Sequence, residues 1–446
     1  MSLVDHYSTI GSKTELALFS VPPTQVAVER GFNDEIQLAN SCNSEGPWEF
    51  RIPPDINYID ARHNYIVVTL KILKGDGSSI APAAPAVGEA AQPHDLVGPI
   101  NCLGKTFFRN VRVFISGRQV YDANNLYAYR TFLETELNHG WDAKHSHLEA
   151  GGYEEDKPGA KIDSPKDNTG LKARAKPYEK SNLVELVAPI HCDIFMQEKF
   201  LLSHTDIRME VSRNSDAFCL MTDVGSPSFK LHVESMKWVI RKVDISPSLA
   251  LAIEATLNSG PAKYPVRRVQ MTSLHLDAGR RSTPVNSIFS GQIPRRILVI
   301  LVDSDAFHGS YHKSPFNFKH YKLTEAKITA GGNTYPNCTY KVDFTNGQFV
   351  ELFNTLFDVL GIGDENKGNG ISKSRFANGS TILAFDLSPD CDDSGHWDLI
   401  KQGTTSLQLT FAEPLPAGGV EAIIYAEHDN LLSIDRNRQP TFDFSF

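Results

Sequence analysis

The sequence predicts an all-β protein of two tandem eight-stranded jelly-roll sandwiches, a double jelly roll, with a few short helices. Three observations support this prediction. Most apolar residues fall in short runs with a two-residue or continuous repeat, which is typical of β-strands. Strands do not alternate with helices of about 10 to 15 residues, so a parallel α/β fold is not expected. One order of strands, turn and helix occurs once in each half of the chain.

Short stretches rich in Val, Ile, Leu, Phe and Thr predict the strands. In the first half they are Tyr65–Leu73, Asn110–Ile115, Leu183–Val187, Thr205–Val211 and Phe229–Val233. In the second half they are Val269–Leu276, Arg296–Val302, Ala326–Thr329, Thr381–Phe385, Ser406–Phe411 and Glu421–Ala426. So many short strands indicate sandwiches or barrels.

Two segments predict helices because their apolar residues share one helical stripe. The first is Leu126–Leu137, preceded by Asn124 and Asn125 as candidate caps. The second runs over 349–360.

The second helix has clear predicted ends. Thr345 and Gln348 have the spacing of a capping box, and Gly361 follows the last apolar residue. In both halves the helix follows a strand, a glycine turn and a short return strand, with the turn at Gly117 in one half and at Gly332 in the other. One helix inserted at the same place in an eight-stranded sandwich favours a duplicated jelly roll over an immunoglobulin-like fold.

These patterns divide the chain into five parts. They are an N-terminal arm at 1–31, a first jelly roll at 32–245, a connecting segment at 246–263, a second jelly roll at 264–438 and a C-terminal tail at 439–446. The connecting segment contains a predicted helix, Pro247–Leu257. Gly75–Pro93 is rich in Gly, Ser, Ala and Pro, and His139–Lys180 shows no periodic pattern, so both are predicted to be surface loops.

Composition and charge limit the classes of function. The chain has 446 residues, of which 41% are hydrophobic and 10% aromatic, so a packed core is expected. Its 53 acidic and 44 basic residues give a net charge of −9, which disfavours a protein whose main task is to coat DNA. No apolar run reaches about 18 residues and the first residues do not resemble a signal peptide, so we expect an intracellular chain without a membrane span.

The cysteines predict neither a disulfide framework nor a zinc site, because they are far apart and form no CxxC pair. They are Cys42, Cys102, Cys192, Cys219, Cys338 and Cys391. We expect reduced thiols.

Two resemblances to ligand-binding loops are rejected. Gly98–Thr106 ends in Gly-Lys-Thr but has one residue too many for a P-loop, and it precedes a strand rather than a long helix. The segment from Asp364 resembles a calcium loop, but its twelfth position is Arg375 instead of Glu.

Two clusters contain metal-ligating residue types without a known spacing. They are His139, Asp142, His145 and His147, and then Cys391, Asp392, Asp393 and His396. We interpret both as solvated loops, since four ligands rarely converge in an irregular segment. We expect no metal and no cofactor.

No motif of nucleophilic or metal catalysis occurs, and the chain is predicted not to be an enzyme. Dispersed carboxylates of the kind used by glycosidases are the alternative. Asp303, Asp305, Glu351 and Asp358 are interpreted instead as surface or helix-end charges.

Three arginine doublets, at 267–268, 280–281 and 295–296, lack the interleaved aromatic residues of a single-strand-binding groove. Alternate strand residues face opposite sides, so only one of each pair can face a given ligand. Ion pairing with the excess carboxylates is favoured over a DNA-facing surface.

The two chain ends carry apolar side chains, and an apolar chain end usually packs on something. Either each end covers its own sandwich, or it is exchanged with a neighbouring subunit. The candidate subunit-contact residues are Leu16, Leu18, Phe19 and Val21 in the arm and Phe442, Phe444 and Phe446 in the tail.

Five stretches resemble known capsid proteins. Gly291–Gly309, Ser314–Phe318 and Gly332–Pro336 resemble the second-domain signature of double jelly-roll major capsid proteins, with Ser314 where Asn is more usual. Leu16–Glu29 and Tyr425–Arg438 are similar to the ends of the capsid proteins of Polinton/Maverick elements and related adintoviruses.

The resemblance implies a structural protein of a virion capsid that assembles inside the host cell, in the nucleus or cytoplasm. It implies a homotrimer that forms a pseudo-hexagonal capsomer. Such capsomers contact one another and tile an icosahedral shell, which encloses double-stranded DNA without recognising its sequence. It also implies a single jelly-roll penton or minor capsid protein as a partner. The alternative is an intracellular carbohydrate-active or lectin-like β-sandwich protein.

Overall fold

The computed structural model describes residue 7 and residues 14–42, 45–80, 96–284, 287–337, 340–389 and 397–442. They form two β-sandwiches joined by one helix, which confirms the predicted double jelly roll. Most of the predicted loop Gly75–Pro93, namely 81–93, lies outside the described residues. The cluster of Cys391, Asp392, Asp393 and His396 also lies outside them.

The first sandwich consists of two four-stranded sheets and a small two-stranded one. Its strands are β1 (Val28–Gln37), β2 (Trp48–Ile52), β3 (Tyr58–Lys74), β4 (Val97–Pro99), β5 (Phe108–Ile115), β6 (Arg118–Asp122), β7 (Val184–Ala188), β8 (Ile207–Arg213), β9 (Leu220–Thr222) and β10 (Phe229–Ile245). The sheet orders are β1-β10-β3-β7, β2-β8-β5-β6 and β4-β9.

The second sandwich repeats this arrangement. Its strands are β11 (Ala262–Leu276), β12 (Ser282–Pro284), β13 (Phe289–Gln292), β14 (Arg296–Asp303), β15 (Leu323–Ala330), β16 (Asn333–Tyr335), β17 (Ile382–Asp386), β18 (Gln402–Phe411), β19 (Val420–Ile434) and β20 (Pro440–Phe442). One sheet has the order β11-β19-β14-β17 with β20 beside β19, and the other has β12-β18-β15-β16 with β13 beside β18.

The two sandwiches share one topology. In each, the first long strand pairs with the last, β1 with β10 and β11 with β19. Gly117 and Gly332 occupy corresponding turns, and their φ angles of 80° and 87° lie in the region that favours glycine. β1 begins at Val28, before the limit predicted at residue 32, and the exact domain limits stay a prediction.

Side-chain alternation builds the core of each sandwich between its two sheets. In β8 every second residue from Ile207 to Val211 is buried. Phe50 on one sheet of the first sandwich meets Trp238 on the other edge to face, with ring centroids 6.2 Å apart.

The helices are short. They are α1 (Leu103–Thr106), α2 (Tyr127–Asn138), α3 (Trp141–Lys144), α4 (Thr169–Ala175), α5 (Asp216–Cys219), α6 (Pro247–Leu257), α7 (Ser304–His308), α8 (Val350–Val359) and α9 (Lys373–Ala377). Turns of 3-10 helix occur at Thr14–Leu16, His147–Gly151, Gly159–Lys161, Lys176–Ser181 and Asp193–Phe195. Helices α2, α6 and α8 confirm the three predicted segments.

The predicted caps of α2 are wrong. Leu126 occupies the N-cap position, and no side chain caps the helix. Asn124 and Asn125 have φ angles of 52° and 61° and form the preceding turn instead, a backbone region that asparagine tolerates well.

The predicted capping box of α8 is also wrong. Phe349 precedes the helix, and the backbone N–H groups of Thr345 and Asn346 donate to the Asp343 carboxylate. That carboxylate organises an earlier turn, so the helix begins later than the box predicts. At the other end Gly361 has φ 69°, as expected for a helix-terminating glycine.

The segment His139–Lys180 is not an irregular surface loop. It contains α3, α4 and three 3-10 turns, and it buries Leu148, Tyr153 and Tyr178. Asn168 organises it: its side chain accepts from the N–H groups at the start of α4 and from Lys157, and donates to Asp156 and the Ile162 carbonyl. These partners are too scattered along the chain to produce a periodic pattern.

We expect Asn168→Ala to lower the free energy of unfolding by about 2 kcal/mol, because Asn168 is fully buried and its partners lose their hydrogen bonds. Urea denaturation measures this change. Asn182→Ala, at an exposed position two residues beyond this segment, is the control and should change stability by less than about 0.5 kcal/mol. Equal effects of the two substitutions would contradict the role given to Asn168.

Candidate functional site

Helix α2 of the first sandwich lies against the second sandwich, and aromatic rings fill the contact. Phe132 stacks on Phe316 with centroids 4.1 Å apart and meets Phe318 edge to face at 5.8 Å. Tyr129 stacks on Phe307 of α7 at 5.8 Å. Every residue from 127 to 137 is buried. We call this contact the junction.

The segment Ser314–Phe318 has a direct structural role at the junction. Phe316 and Phe318 pack on α2, while the Ser314 backbone N–H and the Asn317 side chain donate to the Asp163 carboxylate at 2.9 and 2.8 Å. Lys319 forms an ion pair with the same carboxylate at 3.2 Å. The segment therefore joins both α2 and the 139–180 segment to the second sandwich.

A buried ionic network crosses the junction. Arg130 on α2 pairs with Glu134 at 2.9 Å and with Asp193 at 2.7 Å. The Tyr425 hydroxyl on β19 lies 3.2 Å from the Glu134 carboxylate and 2.9 Å from that of Glu427, so it can donate to either. Because one face of β19 packs in its own sandwich and the other on α2, Val420 through His428 are all buried.

Charge balance inside the network controls its protonation. Burial raises the pKa of Glu134, but Arg130 and the hydrogen bond from His191 outweigh burial and bring the pKa to about 2. Burial and the positive charge of Lys105 lower the pKa of His191 to about 4. At neutral pH the network therefore holds an ionised Glu134 and a neutral His191.

A second buried cluster is centred on Glu136. Lys144 and Arg375 pair with its carboxylate at 3.0 and 2.6 Å, and Tyr153 donates to it at 3.1 Å. Lys144 also donates to the Asn369 carbonyl at 2.6 Å. Arg375 and Asn369 belong to the second sandwich, so this cluster also ties the two sandwiches together.

Sequence reasoning missed both clusters. The available signal was the charge of α2, which places Arg130, Glu134 and Glu136 on a helix that also carries an apolar stripe. The partners Arg375 and Tyr425 lie far away in the chain, so no local pattern identifies them.

The cluster of His139, Asp142, His145 and His147, interpreted from the sequence as a solvated loop, lies instead in a helical segment that contains α3 and a 3-10 turn. Rings of His139 and His147 lie 6.1 Å apart, but His145 stacks on Trp141 instead. Among the residues that the structure describes, no group of three His, Cys, Asp or Glu side chains can hold a metal ion. Within the same residues, no helix is long and apolar enough to span a bilayer.

Two of the candidate carboxylates, Asp303 and Asp305, share one cation, because Lys313 lies 3.7 Å from the first and 3.0 Å from the second. Asp303 pairs with Lys319 at 2.7 Å and accepts from Tyr321 at 2.6 Å, while Asp305 pairs with Lys313 at 3.0 Å. Asp358 accepts from Asn354 on α8, and Glu351 lies exposed in the first turn of α8. These contacts agree with structural charges.

The arginine doublets form ion pairs as predicted. Arg296 donates to Glu427 at 2.7 and 3.0 Å, and Arg280 pairs with Asp277 at 2.8 Å. Arg267 lies 3.8 Å from Asp429. Beside the network is a cleft of about 880 Å³, lined by Arg130, Trp141, Arg267, Arg296, Leu298, Tyr425 and Glu427 among others.

The predicted subunit-contact residues of the arm and of the tail differ in how far they are exposed in the single chain. The exposed side chains are those of Leu16, Leu18, Phe19 and Val21. Phe442 lies on β20, which pairs with β19, and its ring packs partly against the core. Phe444 and Phe446 lie outside the described residues. Their role in subunit contacts stays a prediction.

Comparison of the sequence with known proteins finds a relative in a nematode. No protein-family model matches the sequence. An uncharacterized protein of Caenorhabditis elegans is 29% identical over 429 residues, covering 95% of this chain and 99% of the relative.

Solved structures share the fold over nearly the whole length. A chain of the Sputnik virophage covers 99% of this chain, with 94% of its own length matched, at a TM-score of 0.64 and 11% identity. The mavirus major capsid protein matches 100% of this chain and 97% of its own, with a TM-score of 0.57 and 10% identity. The Faustovirus major capsid protein matches 94% of this chain and 93% of its own, with a TM-score of 0.54 and 10% identity. The chain therefore has the double jelly-roll fold of viral major capsid proteins.

We expect Arg375→Met to destabilise the protein by about 3 to 5 kcal/mol, because it leaves buried Glu136 with one cation fewer. The free energy of unfolding from denaturant titration gives the value. Arg280→Met removes an exposed ion pair and should cost less than about 1 kcal/mol. A loss below about 1 kcal/mol in the Arg375 variant would show that the second cluster does not hold the junction.

Stability should fall on acidification between about pH 6.5 and pH 4. Burial and the charge of Arg268 lower the pKa of His428 to about 4, as burial and Lys105 do for His191. As the pH falls below about 6.5, the histidine is protonated in the unfolded chain but stays neutral in the folded one, so protonation favours unfolding. The stabilisation is therefore complete above the unfolded-state pKa and is lost as the pH falls toward the folded-state pKa. The loss reaches about 3 kcal/mol per histidine. Urea titrations at pH 7 and pH 4 measure it, and His191→Gln should reduce the difference; an unchanged difference would contradict this assignment.

Proposed function

We propose that this chain is a viral-type major capsid protein, a structural subunit rather than an enzyme. The observation that carries the proposal is the pair of equivalent jelly rolls held side by side by the junction, in an arrangement shared over nearly the full chain with viral capsid proteins. A shell subunit needs a rigid shape and self-complementary surfaces, and it needs no reactive cleft.

The resemblance of the sequence motifs extends the proposal. Three copies associate into a pseudo-hexagonal capsomer, capsomers contact one another in an icosahedral shell around double-stranded DNA, and a single jelly-roll penton protein fills the vertices. We further propose that the chain belongs with Polinton/Maverick elements and adintoviruses and assembles inside the host cell. Its two structural units are the jelly rolls at 32–245 and 264–438.

Two features of the single chain support an assembling subunit. The exposed apolar arm lacks a covering surface among the described residues, and exposed apolar segments of this kind mark interaction sites. The buried junction makes the two rolls one block, so that contacts on one roll position the other. Of the four candidate carboxylates, Asp303 and Asp305 form ion pairs with lysines, Asp358 accepts from Asn354, and Glu351 is exposed.

Mass measurement in solution tests this proposal. The purified protein should have a mass near three times 49.4 kDa by light scattering, and micrographs of concentrated samples should show capsomers or shells. A protein that stays at 49.4 kDa at high concentration and binds a sugar would favour the lectin-like alternative and overturn the proposal.

A further inference from the structure

A groove of about 740 Å³ opens beside α6, where the chain passes from the first roll to the second. Its apolar walls include Ile56, between β2 and β3, together with Ile245, Ala250 and Leu251. Ile56 and Leu251 are 73% and 72% exposed. Exposed apolar side chains that lie together in a groove mark sites of interaction.

Charged side chains also line the groove, and one of them is held in place. Arg438 pairs with Glu254 of α6 and donates to the Ser203 carbonyl at 2.8 Å. Arg436, exposed at the same rim, forms no ion pair with any residue that the structure describes. The groove therefore combines apolar walls with the unpaired positive charge of Arg436, and Glu29, Asp244 and Glu254 also line it.

The N-terminal arm is rooted next to this groove. The Ala27 carbonyl accepts from the backbone N–H of Ser246, the residue that precedes α6. The apolar residues Leu16, Leu18, Phe19 and Val21 are between 70% and 101% exposed. Glu15 precedes them and is a negative charge that can complement Arg436.

The arm does not occupy the groove of its own chain: none of the residues 15–21 lines it. Pro22 and Pro23 separate the apolar residues from the root, and each proline biases the residue before it toward extended backbone. A reversal of direction near the root is therefore disfavoured. The apolar segment is exposed in the single chain, so the equivalent groove of a neighbouring copy can receive it.

We propose that the groove beside α6 binds the segment 15–21 from a second copy of this chain. The apolar side chains cover Ile56 and Leu251, and Glu15 pairs with Arg436. This inference rests on the proposed assembly into capsomers, and it assigns the arm to one receiving surface in it.

Paired cysteines test the exchange. Two differently tagged chains are co-expressed in a Cys42→Ser background, one with Leu18→Cys and the other with Leu251→Cys, and treated with a short bismaleimide. Cys42 is the exposed cysteine among those described. The control pairs Leu18→Cys with Leu399→Cys, because Leu399 is 82% exposed but lies outside the groove. We expect at least ten times more covalent heterodimer from the Leu251→Cys pair than from this control.

Further samples separate the outcomes. Each single variant alone measures background from the other native cysteines, and circular dichroism checks folding. A single chain that carries both Leu18→Cys and Leu251→Cys shows whether the arm folds back into its own groove. Cross-linking within this chain at low concentration, together with no heterodimer from the two co-expressed chains, overturns the proposal. If the protein forms trimers but the cross-link does not exceed the Leu399→Cys control, the groove proposal is overturned and the proposed function stands. If the protein is monomeric, the proposed function itself is refuted.

Discussion

The rest of the molecule depends on the burial of α2 between the two sandwiches. A helix with every side covered cannot leave its charged residues in water, so Arg130, Glu134 and Glu136 must find partners inside the protein. The first sandwich supplies some of these partners, such as Asp193 and Lys144, and the second sandwich adds Tyr425 to one cluster and Arg375 to the other. Stacked phenylalanines supply the apolar part of the same contact. The two rolls are thereby joined by interactions that neither roll can satisfy alone.

This constraint connects the fold with the proposed function. A shell made of double jelly rolls needs both rolls in a fixed relative position, because each roll contacts different neighbours. Apolar packing alone tolerates small sliding movements, whereas directional bonds among buried charges favour one arrangement. Glu136 illustrates this, since its three bonds come from Lys144 of α3, Arg375 of α9 and the loop residue Tyr153. The apolar arm is then the part of the chain left for contacts beyond the block.

Local patterns predicted the strands, the duplication and three helices, because alternation and helical spacing are properties of neighbouring residues. Gly361 and the connecting helix are examples in which local chemistry was sufficient. The junction was not predictable in this way. Asp163 meets Lys319, and Glu136 meets Arg375, across more than a hundred residues of sequence. The caps failed for a related reason, since Asn124, Asn125 and Asp343 satisfied earlier turns instead.

Scanning calorimetry of the full chain tests the central claim most directly. If the junction makes the two rolls one block, unfolding of the dissociated chain at neutral pH should be a single transition whose calorimetric and van't Hoff enthalpies agree. Two separate transitions, each with about half of the total enthalpy, would mean that the rolls unfold independently and that the buried charges do not couple them.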